Sequence, residues 1–268
     1  MNLLFALLPA LFVASAALAA PGLTVGGLTE FQVELPREFR EFAGRGQLSP
    51  VTHALVTIAA PANFDMARDW PVMVISATSD PQYNSSRLLL RAYADTALAA
   101  GWILVAADPA EEVSVAQDGV PLRYALNKAA LAALGLQWPR AAKLPLAFGG
   151  FSGGAKYTGW LAAAFANDGR SVMGIYVAGI NEDTIVPAAQ LYKVLSDAYR
   201  RIPVFLQSGE KDEISTKADH LKVYDELKHA GFRNIRIEYF PGLHDVDPKS
   251  LGTALDWFRE LAAEQATR

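Results

Sequence analysis

A serine between spaced glycines is the strongest candidate for chemistry in this sequence. The pattern Gly150-x-Ser152-x-Gly154 follows the apolar run from Leu144 to Phe148 and opens a stretch rich in small residues. A sharp turn from a strand into a helix can present a serine hydroxyl to a substrate, and side chains two residues before and after it would collide there. We expect Ser152 to attack a carbonyl group and the N–H of Gly153 to stabilise the resulting oxyanion.

A phosphate-binding loop is the alternative use of such a turn, because N–H groups at a helix N-terminus bind anions. The Walker pattern requires Gly, Lys and Ser or Thr at the positions that here hold Ala155, Lys156 and Tyr157. The hydroxyl that would bind Mg²⁺ is therefore missing, and the dinucleotide pattern Gly-x-Gly-x-x-Gly is absent as well. The sequence disfavours nucleotide binding.

A serine nucleophile needs a general base, and the sequence offers four histidines. His53 begins a strand-like run, and both His220 and His229 fall on one predicted helix, where a lone histidine is usually solvated or bonded locally. His244 instead follows the last predicted strand. Because parallel sheets build their sites at the carboxyl ends of strands, we expect His244 to be the base.

An orienting carboxylate completes a triad, and Asp212 lies just beyond the predicted strand 204–207. The order Ser152, Asp212, His244 is the order expected for a nucleophile elbow on an α/β sheet. Glu210 and Glu213 share the loop with Asp212, and Asp183 follows the preceding strand, so these carboxylates remain competitors.

The rest of the chain alternates between strand-like and helical stretches. Strands are predicted at 31–35, 54–58, 72–75, 102–106, 144–148, 172–177, 204–207 and 235–240, and helices at 86–100, 122–134, 153–167, 188–199, 217–230 and 251–263. This alternation indicates an α/β fold with a mostly parallel central sheet covered by helices on both faces. We expect one domain over residues 21–268. The long excursion 109–140 is either a crossover helix or a lid over the site.

Composition excludes several classes of protein. The 268 residues are 51% hydrophobic and include no cysteine, which excludes a disulfide scaffold, a thiolate zinc site and a cysteine nucleophile. The formal net charge is −4, whereas proteins that bind nucleic acids usually carry basic patches. We expect no metal, no organic cofactor and no nucleic-acid partner. The composition leaves the oligomeric state open.

The first twenty residues are expected to lie outside the folded domain. They form an apolar run that ends in Ala17-Leu18-Ala19, the small-x-small pattern of a signal-peptidase site. No Lys or Arg precedes Arg37, and an uncleaved membrane anchor is the alternative. We expect a cleaved signal peptide over residues 1–20, a secreted or periplasmic mature protein and no membrane span within it.

These residues together resemble the α/β-hydrolase superfamily, with similarity over nearly all of residues 30–265. The chain looks most similar to secreted bacterial serine esterases of the dienelactone hydrolase, polyhydroxybutyrate depolymerase and feruloyl esterase kinds. The stretch Pro61 to Asp65, leading to Trp70 to Val74, resembles their entry into the third strand. The resemblance implies a catalytic triad of Ser152, Asp212 and His244.

One motif departs from that family pattern. After the third strand the family usually has His-Gly-x-Gly, whose backbone supplies the second N–H of the oxyanion hole. This chain has Ser76-Ala77-Thr78-Ser79-Asp80 there. If Asp80 is aligned with the aspartate that often follows in the family, the resemblance puts Thr78 at the donor position and Ala77 in place of the glycine. A backbone N–H does not depend on its side chain, so the role carries over to Thr78. Losing one such donor costs about 10²–10³ in rate.

The function expected from the sequence is hydrolysis of carboxylic esters through an acyl-enzyme, with a small-molecule or polymer ester as substrate. Two alternatives remain. A serine peptidase would use the same residues, and a secreted ligand-binding protein could keep the fold without using the triad.

Overall fold

A computed structural model of the chain describes residues 22–266. Within that range the chain forms eight strands and seven α-helices. The strands are β1 (Gly27–Glu34), β2 (His53–Ala60), β3 (Val72–Ser76), β4 (Ile103–Pro109), β5 (Leu146–Phe151), β6 (Val172–Ala178), β7 (Val204–Gly209) and β8 (Ile235–Phe240). The helices are α1 (Arg37–Ala43), α2 (Ser86–Ala99), α3 (Val120–Gln137), α4 (Gly153–Asn167), α5 (Ile185–Leu191), α6 (Lys217–His229) and α7 (Pro248–Ala266). The signal peptide predicted over 1–20 lies outside the described residues.

The eight strands form one sheet in the order β1-β2-β4-β3-β5-β6-β7-β8. β2 runs antiparallel to β1 and β4, and the pairs from β4 through β8 are parallel. The predicted α/β class with a mostly parallel sheet is confirmed. The strand β5, which leads into the Gly-x-Ser-x-Gly turn, lies in the interior of the sheet between β3 and β6.

Alternate side chains of the strands pack into two apolar layers, one on each face of the sheet. In β3, Val72 and Val74 join the layer covered mainly by α3, α4, α5 and α6, whereas Met73 and Ile75 join the layer covered by α2 and α7. This follows from the period of two in a strand, which directs successive side chains to opposite faces. Both faces are thus buried, and the loops that follow the parallel strands remain available at the carboxyl edge.

One local prediction was wrong, and one helix was missed. The helix predicted at 188–199 is α5, which ends at Leu191, and Lys193 then adopts a left-handed φ of 57° that no helix continues. Helix α1 was missed, since it has only seven residues and none of them is fully buried. Most of the segment 109–140 is the crossover helix α3, whose buried side chains join the core, as an ordinary crossover helix would.

No helix between residues 22 and 266 is both long and apolar enough to cross a bilayer.

Candidate functional site

Ser152 occupies a strained turn between β5 and α4. Its φ of 55° and ψ of −122° belong to a region that residues with a side chain rarely adopt, at a cost of about 1–3 kcal/mol. The Ser152 N–H donates to the carbonyl of Ala178 at 2.8 Å, and the Ala155 N–H donates to the Ser152 carbonyl at 3.0 Å. These bonds hold the strained backbone in place. The predicted strand–turn–helix setting of Ser152 is confirmed.

The glycines around Ser152 have no room for a side chain. A Cβ on Gly150 would lie 2.3 Å from the carbonyl oxygen of Gly154, and one on Gly154 would lie 2.1 Å from the carbonyl oxygen of Ser76. A Cβ on Gly153 would lie 2.2 Å from Thr78 Oγ1. The turn is therefore packed against the end of β3, and only glycine fits at these three positions.

The residues proposed as base and acid are hydrogen-bonded to each other. His244 Nδ1 lies 2.7 Å from Asp212 Oδ2, in loops that follow β8 and β7. The Asp212 side chain is 1% exposed and that of His244 is 15% exposed, so solvent screens their interaction little. The other oxygen, Asp212 Oδ1, accepts the N–H groups of Ile214 and Ser215, each at 2.8 Å.

Asp212 is held in its ionised form. Burial alone would raise the pKa of the Asp212 carboxyl, but hydrogen bonds from the Ser215 N–H, from His244 and from the Ile214 N–H together lower it below its usual range. An ionised Asp212 accepts a proton-bearing Nδ1 and leaves Nε2 of His244 as the nitrogen free to take a proton. This is the tautomer that a general base requires.

The His244 ring lies beside the residue that precedes Ser152. Its centroid is 4.6 Å from that of Phe151. Gly179 leaves room for both rings, since a Cβ there would lie 2.8 Å from His244 Cε1 and 3.0 Å from Phe151 Cε2. His244 Nε2 is buried and has no hydrogen-bond partner among residues 22–266, Ser152 Oγ included. Catalytic hydrogen bonds of this kind often form only when substrate is bound.

Thr78, to which the family resemblance assigns the second oxyanion N–H, lies against the turn. Its Oγ1 and Cα fall within 2.2 Å and 3.4 Å of the position that a Cβ on Gly153 would take. The Thr78 hydroxyl oxygen accepts the N–H of Asp80 at 3.2 Å. The segment after β3 therefore reaches the N-terminus of α4, where the backbone N–H of Gly153 is not used by the helix.

Sequence reasoning missed Gln207, which supports the histidine loop. Gln207 is fully buried near the end of β7, and its Nε2 donates to the Asp245 carbonyl at 2.8 Å. Its Oε1 accepts the Asp247 N–H at 3.0 Å and the Tyr176 hydroxyl at 2.5 Å. The amide thereby fixes the loop on the carboxyl-terminal side of His244. The only signal in the sequence is a polar residue that ends the apolar run Val204 to Leu206.

The competing residues lie in other surroundings. Glu210 and Glu213 are exposed, and Glu210 pairs with Lys217 at 3.5 Å. His220 is a buried residue of α6, and its Nδ1 lies 3.1 Å from the Thr216 carbonyl oxygen. Burial lowers the pKa of the His220 imidazole. Asp183 accepts the N–H groups of Ile185 and Val186 at the start of α5.

Asp183 is expected to make stability depend on pH. Burial raises the pKa of its carboxyl to about 6, above the ordinary value of 3.8, although backbone hydrogen bonds oppose the shift. The folded state therefore resists ionisation of this group, and stability is lost as pH rises from about 4 to about 6. Asp183→Asn keeps an oxygen for the helix cap but removes the charge. We expect its melting temperature to match the wild type at pH 4 and to exceed it at pH 7.5.

Thermal unfolding at the two pH values checks this expectation, with Asp256→Asn on the exposed side of α7 as control. A stability difference that is equal at both pH values, or that favours the wild type at pH 7.5, contradicts it.

Within the described part of the chain, no group of three or more His, Asp or Glu side chains is placed to hold a metal ion.

Comparisons with known proteins show similarity at the level of structure. No protein-family model matches the sequence, and no curated protein matches it significantly. A cold-adapted esterase from an Arctic intertidal metagenomic library superposes with a TM-score of 0.59 at 15% identity, over 87% of this chain and 93% of that one. An α/β serine hydrolase without lid from Xanthomonas campestris gives 0.52 at 16% identity, over 91% and 95%.

Peptidases are among the similar structures as well. The acylaminoacyl peptidase of Pyrococcus horikoshii gives a TM-score of 0.53 at 12% identity, over 87% of this chain but only 40% of the peptidase. All three identities are low, so these similarities bear on architecture. Together with the strand order β1-β2-β4-β3-β5-β6-β7-β8, they show that this chain has the α/β-hydrolase fold.

Proposed function

We propose that this protein is a serine hydrolase that cleaves carboxylic esters through an acyl-enzyme, with Ser152 as nucleophile, His244 as base and Asp212 as orienting acid. The observation that carries the proposal is the buried Asp212–His244 pair, whose imidazole packs on Phe151 next to the strained Ser152. A strained serine, a paired histidine and an ionised carboxylate together form the arrangement that activates a hydroxyl for attack.

The proposed reaction has two steps. His244 Nε2 removes the hydroxyl proton as Ser152 Oγ attacks the ester carbonyl, and the N–H groups of Gly153 and Thr78 bind the oxyanion. His244 then gives its proton to the departing alcohol. Water attacks the acyl-enzyme with His244 again as base, which releases the acid and restores Ser152. Asp212 stabilises the imidazolium in both steps without taking up the proton.

Esters are the proposed substrates because esterases and a lidless serine hydrolase are among the similar structures, and because the segment 109–140 packs as a crossover helix here. A small-molecule ester and a polymer ester both fit this chemistry. We also propose that the mature protein is exported, on the basis of the apolar run over residues 1–20.

The test is covalent labelling of the purified protein with a fluorophosphonate, together with turnover of p-nitrophenyl esters of increasing acyl length. We expect one label per chain, carried by the peptide that contains Ser152, and measurable release of p-nitrophenol. Heat-denatured protein is the control and should take up no label. Absence of both labelling and turnover in folded protein would overturn the proposal and favour a binding protein. Cleavage of peptide anilides without ester cleavage would favour a peptidase.

A further inference from the structure

Arg123 is a fully buried cation near the candidate site. It lies in the first turn of α3, and its guanidinium forms two bonds of 2.6 Å with Asp118, from Nε to Oδ1 and from Nη2 to Oδ2. Nη1 donates to Asp108 Oδ1 at 3.0 Å and to Ser86 Oγ at 2.9 Å. Burial lowers the pKa of Arg123, but the bonds and charges of Asp118 and Asp108 raise it overall.

The same guanidinium holds the backbone that follows β3. Nη2 donates to the carbonyl of Thr78 at 3.4 Å and to that of Asn84 at 3.1 Å. Ser86 Oγ, which accepts from Arg123 Nη1, also accepts the N–H of Ala77 at 3.2 Å. Residues 77–86 are called the 77–86 segment below. Arg123 holds this segment at Thr78, near its start, and at Asn84 and Ser86, near its end.

Asp108 fixes the far end of the 77–86 segment. Its Oδ1 accepts the Ser86 N–H at 2.9 Å and its Oδ2 accepts the Arg87 N–H at 3.0 Å, at the start of α2. Asp108 in turn is bound to Arg123. Two elements, β4 through Asp108 and α3 through Arg123, therefore hold a segment that has no regular structure before α2 begins at Ser86.

Stability alone does not account for this cluster. Burial removes each ion of such a network from water, and an apolar replacement is often as stable, so a buried ion pair is weak evidence for a role in stability. The geometry specified here is the position of Thr78, which lies against Gly153. Arginine suits the task because its planar fork grips one carboxylate through two N–H groups and has donors left for carbonyls, a geometry that the single ammonium of lysine does not provide.

We propose that Arg123 is a positioning residue for the oxyanion hole: held by Asp118 and Asp108, it fixes the 77–86 segment so that the Thr78 N–H points to the reacting carbonyl. This inference rests on the proposed function. In this chain, a backbone held by Arg123 takes the place of the flexible glycines that the resembled family usually has after its third strand.

The experiment compares Arg123→Lys with the wild type in ester hydrolysis and in inhibition by a trifluoromethyl ketone, which forms a tetrahedral oxyanion on a reactive serine. We expect kcat to fall about tenfold to a hundredfold, toward the loss of one oxyanion donor, with KM within about twofold. The inhibition constant of the ketone should rise by the same factor as kcat/KM falls. A residue with a purely structural role would not link these two quantities.

Arg170→Lys is the matched control, because Arg170, like Arg123, donates to backbone carbonyls. Its three partners are the carbonyls of Ala141, Ala142 and Leu144, next to the amino end of β5. It should lower the melting temperature and leave both kcat and the inhibition constant unchanged. Ser86→Ala is the second test if Arg123→Lys does not fold, and it should lower kcat about tenfold. Wild-type kcat in a folded variant, or a lower kcat with an unchanged inhibition constant, would overturn the inference.

The two proposals fail in different ways. Ester hydrolysis that survives in Ser152→Ala contradicts the proposed function, whereas wild-type kcat in Arg123→Lys contradicts only the positioning role.

Discussion

Ser152→Ala is expected to lower kcat for ester hydrolysis by about 10⁶ and to abolish fluorophosphonate labelling, because the variant lacks the attacking oxygen. Stability should change little, since alanine keeps the Cβ that the strained turn already accommodates and no hydrogen bond of the Ser152 hydroxyl is lost among the described residues. Steady-state kinetics, mass spectrometry of the labelled peptide and thermal unfolding measure the three quantities.

Ser171→Ala is the matched control for that variant. Ser171 is exposed and precedes β6 at the amino edge of the sheet, away from the loops that carry Asp212 and His244. Its replacement should leave turnover and labelling unchanged. If Ser152→Ala retained more than about a thousandth of the wild-type kcat, another nucleophile would have to carry the reaction.

His244→Ala is expected to lower kcat nearly as much, by about 10⁶, because an unactivated serine is a weak nucleophile. The binding of substrate should change little, because the role proposed for His244 is proton transfer and its Nε2 has no hydrogen-bond partner among the described residues. Asp212→Asn is expected to lower kcat by about 10⁴, because an amide that donates to Nδ1 favours the wrong imidazole tautomer. Kinetics over a range of substrate concentrations separate the effect on kcat from any effect on KM.

Two variants control for these losses. His53→Ala removes a half-buried histidine beside Glu111, and Glu213→Gln removes an exposed carboxylate from the loop of Asp212. Both should keep wild-type kcat. A His244→Ala variant that folds and turns over esters at more than a hundredth of the wild-type rate would contradict the assignment of the base.

The parts of the site that sequence could predict are those with a local signal. The turn at Ser152 follows from spaced glycines after an apolar strand, since close approach of the backbone excludes a Cβ. The pairing of Asp212 with His244 could be predicted from the sequence because both residues follow predicted strands of one parallel sheet. The carboxyl ends of such strands meet at one edge. The hydrogen bond of 2.7 Å between Asp212 and His244 is what that topology makes possible.

The parts that sequence did not predict depend on contacts between distant segments. Arg123 lies among mostly apolar residues of α3, and nothing near it in the chain indicates that Thr78 and Asn84 will supply its carbonyl partners. Gln207 acts through Asp245 and Asp247 in the same way. The early end of α5 escaped prediction too, because the left-handed φ at Lys193 falls on a residue type that usually favours helix.

The strand order has a consequence for when the protein can act during its synthesis. Thr78 follows β3, and Ser152 and Gly153 follow β5, whereas His244 follows β8, which comes after the other seven described strands along the chain. A nascent chain that has passed Asp212 but not yet reached β8 therefore holds the proposed nucleophile and acid without the proposed base. On the proposed mechanism, the emerging polypeptide stays inert toward esters until its final strand has joined the sheet.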